Sequence, residues 1–394
     1  MTLAAPLSSS NAALAAEMLA MGRRARAASA QIAKAGRDAR TKALKSMAER
    51  LRANRAAILE ANEKDMAYGR EKGLSDAMLD RLELTDARID GVAEGLEAVA
   101  ALPDPVGDVI AKWTQPNGLE ISRVRGPLGV IAIIYESRPN VTADAGALCI
   151  RAANAAILRG GSESLHSSKA IADCLRQGLE DAGLPADGIQ LVPTRDRAAV
   201  GMILTGLEGM VDVVVPRGGK GLVGRVQEEA RVPVIGHLEG LCHVYVHSGA
   251  NEEKAIDLVV NSKLRRTGIC GSAETLLVDK SIAARFLPKV AAVLEAKGCE
   301  LRGDDRAREI HAMIPAKEED WTTEYLAPIL SVAVVDDLDG AMAHIAKYGS
   351  QHTESIITED DSAAQRFLAE VDSAIVMHNA STQFADGGEF GMGA

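Results

Sequence analysis

No run of apolar residues in this 394-residue chain approaches the length of a membrane span, and no basic stretch offsets its formal net charge of −11. The first absence argues against a transmembrane segment, the second against nucleic acid as a partner. Cysteine is scarce and scattered. Positions 149, 174, 242, 270 and 299 are odd in number and show neither disulfide nor metal-ligand spacing, a reduced cytosolic pattern. The eight histidines form no metal-ligand cluster along the chain, so no metal is expected. Met1 to Ser10 lacks the charged start and apolar centre of a secretory signal. Internal repeats and low-complexity tracts are also missing. These absences leave a soluble cytoplasmic protein as the expectation. What is there is ordinary globular composition, 47% apolar and 25% charged, long enough for two or three domains.

From about Ser8 to Leu102 the pattern is helical with almost no strand signal; Leu44, Met47, Leu51, Ile58 and Leu59 recur at helical spacings. Pro103 and Pro105 end it. Val109 to Thr114 and Leu119 to Arg125 flank Pro116-Asn117-Gly118, which predicts a β-hairpin with an Asn-Gly turn. Gly129 to Tyr135 is then a continuous apolar run, the mark of a strand covered on both faces. Ala155 to Leu158, Ile189 to Val192, Val211 to Val215 and Val232 to Ile235 read the same way. Ser167 to Ala182 and Gly218 to Ala230 are helical between them. A second series of strands runs through Cys242 to His247, Glu274 to Asp279, Ile329 to Val335, Ser355 to Thr358 and Ala374 to His378. Alternating strand and helix predicts two α/β units, each an open parallel sheet with helices on both faces.

The stretch from Asn261 to Val278 carries the strongest chemical signal. Asn251 to Arg266 reads as a helix opened by Glu252 and Glu253 and closed by Lys263, Arg265 and Arg266, charges that complement its dipole. Cys270 follows, between Gly268 and Gly271. A thiol beside cations holds more thiolate at neutral pH and is a candidate nucleophile. The plainer reading is a small buried hydrophobe. Cys149 and Cys174 lie in apolar helical patterns, Cys299 looks incidental, and Cys242 and His243, adjacent on a strand, should point to opposite faces.

Other candidates sit at strand ends. Tyr135-Glu-Ser-Arg-Pro-Asn140 ends the first buried strand, where Asn140 could donate to an oxyanion or satisfy its own loop. Arg159, Gly160, Gly161 and Ser162 follow a second strand, and Arg217, Gly218, Gly219 and Lys220 a third. Two glycine turns, each with a cation, suit a strongly anionic nucleotide, although neither is a dinucleotide fingerprint. Glu324 is either a plain loop acid or a ribose ligand. The small, polar segment around Asn379 to Thr382 and Gly387 to Gly391 suits substrate contact or a surface turn.

In this order the segments resemble the aldehyde dehydrogenase superfamily, and more closely the branch that reduces γ-glutamyl phosphate in proline biosynthesis. The matching stretches are Val124 to Ile131 and on through Asn140, Ala156 to Gly161, Val215 to Gly219, the Cys270 loop, Asn379 to Thr382, and Phe384 to Phe390. Tyr-Glu-Ser-Arg-Pro-Asn and Phe-Ala-Asp-Gly-Gly-Glu-Phe are specific to that branch.

The resemblance implies an aldehyde-dehydrogenase-like α/β fold. A cofactor-binding domain would comprise residues 1–107 and 124–236, a catalytic domain 237–380, and an oligomerisation hairpin 108–123. Residues 381–394 would begin a C-terminal segment that continues in relatives and pairs with a partner's hairpin. The implied reaction is NADPH-dependent reduction of L-glutamyl 5-phosphate to L-glutamate 5-semialdehyde with release of phosphate. Cys270 would form the thioester, and Asn140 with the Cys270 backbone N–H would hold the oxyanion. Arg159 and Glu324 would contact the cofactor riboses, and Ser162 replaces a glutamate of NAD-preferring relatives, which favours NADP. Arg138, Lys263, Arg265, Ser381 and Thr382 would bind substrate; solvated charge is the plainer reading of the three cations.

The general-base glutamate of hydrolytic relatives aligns with Gly236 or His237, neither a carboxylate, and Glu239 stands nearby. The last glycine of the usual cofactor turn aligns with Val223. A homo-oligomer, dimer or tetramer, is expected, as is a possible glutamate 5-kinase partner. A hydrolytic NAD(P)-dependent semialdehyde dehydrogenase and an inactive binding subunit are the alternatives.

Overall fold

The computed structural model describes residues 9–391 and divides into two compact units, which part between Gly236 and His237. In the first unit, helices Ser9–Ile32, Arg37–Ala53, Arg55–Glu71 and Asp86–Ala101 precede the strands. A two-stranded antiparallel ribbon follows, β1 (Val109–Thr114) with β2 (Glu120–Val124). Gly118 at its turn has φ +86°, a left-handed conformation that favours glycine. Every residue of β1 is exposed, including Val109, Ile110 and Trp113.

Four parallel strands form the first unit's sheet: β3 (Val130–Tyr135), β4 (Ala155–Arg159), β5 (Ile189–Leu191) and β6 (Val213–Arg217), in the order β5-β4-β3-β6. Strand alternation divides its faces. Ile133, Tyr135, Ala156 and Leu158 join a core with Leu44, Met47, Leu51, Ile150 and Leu175. Ala132, Ile134, Ala155 and Ile157 join the opposite core with Met18, Met21, Ile203 and Val214. On the first face, helix Leu165–Asp181 lies so close to Arg37–Ala53 that a Cβ on Gly178 would stand 2.5 Å from Met47 Cγ. The chain steps from β3 through β4 to β5, then returns to place β6 on the other side of β3. That reversal opens a crevice at the carboxyl ends of β3 and β6.

Val232 to Ile235, expected as a strand, makes only a single bridge, Val214 with Val234. Pro233 has no N–H to continue a ladder, and its carbonyl instead accepts from Val214 N at 2.9 Å.

The second unit holds seven parallel strands: β7 (Cys242–Val246), β8 (Ala273–Asp279), β9 (Glu300–Gly303), β10 (Ile314–Pro315), β11 (Ile329–Val335), β12 (Thr353–Ile357) and β13 (Ile375–His378). Their order is β10-β9-β11-β8-β7-β12-β13. Val244, Leu276, Val332 and Val334 face one core with Phe286, Leu287 and Leu294. Tyr245, Leu277, Ala333 and Ile356 face the other, with Leu338, Ile345 and Phe367. Strands β9 and β10, at one side of the sheet with β10 its edge, are unexpected, because they are short and carry no apolar run. No helix among the described residues is long and apolar enough to cross a membrane.

Candidate active site

In the first unit three turns converge at the carboxyl ends of β3, β4 and β6. Ser137 Oγ donates to Glu163 Oε2 at 2.5 Å, and a Cβ on Gly161 would stand 2.8 Å from the Ser137 backbone nitrogen. Gly160 packs on the Tyr135 ring, where a Cβ would lie 3.0 Å from Cε2. Gly219 N donates to Glu136 Oε1 at 2.8 Å, at the start of helix Lys220–Glu229. A carboxylate of the chain thus occupies the place where that helix terminus would receive an anion.

Cations surround this edge. Burial, then the charges of Arg81 and Arg217, push the Arg138 guanidinium below its ordinary range. Arg159 is buried; it donates to the carbonyls of Gly160 and Arg195, and its Nε has no hydrogen-bond partner among the described residues. Arg195 donates to the Ser162 carbonyl at 2.9 Å and stacks 4.6 Å from the Tyr68 ring centroid. These residues suit an anionic nucleotide: glycines admit the backbone, and arginines supply charge. The absence of an acid at position 162 does not clear the turn of carboxylate, however. Ser162 Oγ donates at 2.6 Å to its neighbour Glu163. Burial opposes that charge, but the bonds from Ser137 and Ser162 outweigh it and hold the carboxyl below its ordinary range.

Asn140 opens helix Asn140–Arg151 and donates to Asp144 Oδ2 at 3.1 Å, which commits one of its two amide hydrogens. With Arg138, Arg81 and Asp144 it borders a cavity of about 440 Å³ within this unit.

In the second unit Cys270 lies half-buried in the loop between helix Glu252–Leu264 and β8. Its backbone is braced from several sides. Cys242 Sγ donates to the Cys270 carbonyl at 3.0 Å, and a Cβ on Gly240 would stand 2.3 Å from that oxygen. Glu324 Oε1 accepts from Gly240 N at 3.1 Å, which ties Glu324 to the same loop cluster. Gln383 Nε2 donates to the carbonyls of Ser262 and Arg266 at 2.8 and 3.2 Å. Burial pushes the Cys242 thiol well above its ordinary range, so it serves as a structural donor. Its neighbour His243 faces elsewhere, with Nδ1 2.9 Å from Glu354 Oε2.

Three of the five residues expected to bind substrate are buried. Lys263 is fully buried, and its Nζ lies 2.6 Å from the buried Glu274 Oε2. It is neither a solvated charge nor an open ligand for phosphate. Burial raises the Glu274 carboxyl, and Lys263 pulls it back. An acid beginning a strand buried on both faces was the available signal, since such a charge needs a partner. Ser381 and Thr382 are also buried and serve the loop: Ser262 Oγ donates to Ser381 Oγ at 3.2 Å and accepts from Thr382 N at 3.2 Å. Arg265 remains exposed, 3.8 Å from Glu389.

The histidines expected to form no cluster do meet. One ring nitrogen each of His237 and His352 and the Cys270 Sγ lie within 4.8 Å of one another. The two rings stand edge to face with centroids 4.7 Å apart. Burial, then the charge of His237, pushes the His352 imidazole down to about 4.

One α/β unit with glycine turns among arginines and another with a braced cysteine describe an α/β enzyme. The aldehyde dehydrogenase family model matches residues 5–325, and the chain belongs to that family. It is 62% identical over 378 residues to the γ-glutamyl phosphate reductase of Rhodospirillum rubrum, covering 96% of this chain and 88% of the relative. Against the γ-glutamyl phosphate reductase of Caulobacter vibrioides it is 61% identical over 378 residues, covering 96% and 92%. Among solved structures, γ-glutamyl phosphate reductase from Thermotoga maritima is similar with TM-score 0.93 at 43% identity, covering 96% of this chain and 91% of that one.

Proposed function

We propose that this protein reduces L-glutamyl 5-phosphate to L-glutamate 5-semialdehyde with release of phosphate, in proline biosynthesis. The observation that carries the reading is the braced Cys270 loop in a chain 62% identical to such a reductase across almost its whole length. The Cys270 thiolate attacks the acyl carbon; the bond to the phosphate oxygen breaks, and a thioester remains. NADPH, when bound, supplies a hydride to that carbon. The thiohemiacetal then collapses, returning the thiolate and releasing the aldehyde. Splitting one difficult reduction in this way lowers each barrier.

The Cys270 N–H and the remaining amide hydrogen of Asn140 are assigned to the oxyanion, each worth on the order of 3 kcal/mol. Arg159, Gly160, Gly161, Ser162, Arg217, Gly218, Gly219, Lys220 and Glu324 are assigned to the cofactor. The preference for NADP rests on the arginines around Ser162 rather than on a missing acid. Arg138 and Arg265 remain the candidates for the substrate's anionic groups.

The reading takes the protein to be a cytoplasmic homo-oligomer, assembled through the exposed apolar side chains of the ribbon. A glutamate 5-kinase would supply its short-lived acyl phosphate.

The test is NADPH formation from glutamate 5-semialdehyde and NADP, with and without inorganic phosphate. Strict dependence on phosphate, and a fall in turnover of at least about a thousandfold in Cys270→Ser, are the expected results. Release of free glutamate without phosphate would overturn the reading in favour of a hydrolytic dehydrogenase.

A further inference from the structure

Three adjacent strands, β8, β7 and β12, begin side by side, and the chain entering each one brings a soft metal ligand to the same place. His237 precedes β7, Cys270 precedes β8, and His352 immediately precedes β12. Their donor atoms, one sulfur and two imidazole nitrogens, fall within 4.8 Å of one another. We propose that these three side chains form a binding site for a thiophilic divalent cation of the zinc class, and that its occupation silences the Cys270 nucleophile.

The donor set decides the class of ion. One thiolate and two imidazoles suit zinc or cobalt, whereas magnesium and calcium require oxygen ligands. A tetrahedral zinc with Zn–S near 2.3 Å and Zn–N near 2.1 Å holds its donors roughly 3.3–3.8 Å apart. Side-chain rotation of about an ångström closes the site from the observed spacing. His237 is the most exposed of the three and has the freedom to make that movement.

The other two ligands are held in place. His352 Nδ1 lies 2.8 Å from Thr353 Oγ1, an outer contact of the kind that orients metal-binding imidazoles. The Cys270 carbonyl receives the Cys242 thiol. A three-ligand site leaves a fourth position for water or a substrate oxygen. The metal binds the thiolate, so coordination displaces any proton that the sulfur carries. The sulfur's electron pair is then committed to the metal and cannot attack an acyl carbon. Coordination follows from the geometry alone, whereas loss of turnover rests in addition on the reading of Cys270 as nucleophile.

The full-length protein, reduced and in a non-chelating buffer, would be titrated with Zn²⁺ by calorimetry and with Co²⁺ by absorption spectroscopy. The expected result is one ion per chain with a Kd in the micromolar range or tighter, and a thiolate-to-cobalt charge-transfer band. That band should vanish in Cys270→Ser. Affinity should fall at least about tenfold in His237→Ala and in His352→Gln, and stay unchanged in His311→Ala. Turnover should stop with stoichiometric zinc and return with a chelator. Binding that ignores either histidine would mean an ion on the thiol alone and overturn the site, as would the absence of saturable binding below millimolar zinc. Zinc held by all three ligands while turnover continues would keep the coordination, overturn the inhibition, and remove Cys270 from the proposed mechanism.

Discussion

The two units present their chemistry at opposite ends of their strands. In the first, the turns proposed to hold the cofactor leave the carboxyl ends of β3, β4 and β6, where glycines and helix starts supply backbone N–H groups. In the second, Cys270 and its neighbours gather where the chain enters β7, β8 and β12. The carboxyl-end turns are built from residues contiguous in sequence, such as Arg217-Gly-Gly-Lys220. The amino-end cluster is built from residues 33 and 82 positions apart, between His237 and Cys270 and between Cys270 and His352. A binding turn can therefore be local, while a nucleophile's surroundings are set by strand order.

The largest effect that would test this contrast concerns what lies beneath the Cys270 loop. Lys263→Met strands the buried Glu274 carboxylate and should destabilise the second unit by about 3 kcal/mol or more. Denaturant unfolding would measure the loss, and Lys263→Met with Glu274→Leu should recover most of it. A Lys263→Met protein of unchanged stability but weakened substrate binding would restore Lys263 as a substrate ligand.

Acid should also separate the units, because seven of the eight histidines lie from His237 onward. Burial, then the charge of His243, pushes His344 down to about 3, and burial pushes His352 down to about 4. Between those values and the ordinary 6.5 the unfolded chain binds protons that the folded chain refuses, so stability falls as pH drops below 6.5. For His344 alone the fall from pH 6.5 to 5 is at most about 2 kcal/mol. Hydrogen exchange should show the second unit opening first, and His344→Leu should flatten the pH slope. An unaltered slope would show that His344 is not responsible.

The smallest effects come from paired glycine substitutions, one at each edge. Gly240→Ala presses on the Cys270 carbonyl and should lower kcat about tenfold with little change in KM for NADP. Gly161→Ala presses on Ser137 and should raise that KM severalfold while sparing kcat at saturation. Steady-state kinetics would separate them. The same response from both would mean that the two edges are not functionally distinct.

Apolar runs and their helical intervals predicted both parallel sheets, because a strand covered on both faces must be apolar throughout. The Asn-Gly turn predicted the ribbon, and Gly268, Cys270 and Gly271 marked the loop proposed to carry the nucleophile. Strands β9 and β10 escaped notice because they are too short for an apolar run, and ladder pairing needs only backbone groups, which leave no side-chain pattern. Pro233 ended the expected strand at Val232 to Ile235 because it cannot donate to a ladder.

The sequence by itself determined the long buried strands, the main helices and the glycine turns, since those follow from local periodicity and residue type. Only the tertiary structure decided what the charged and soft side chains do. Parallel strand order turned Lys263 toward Glu274, stapled Ser381 and Thr382 beneath the loop, and drew His237 and His352 to Cys270. Burial makes each unpaired charge costly, so partners are chosen by proximity in space. Separation along the chain carries no record of that choice.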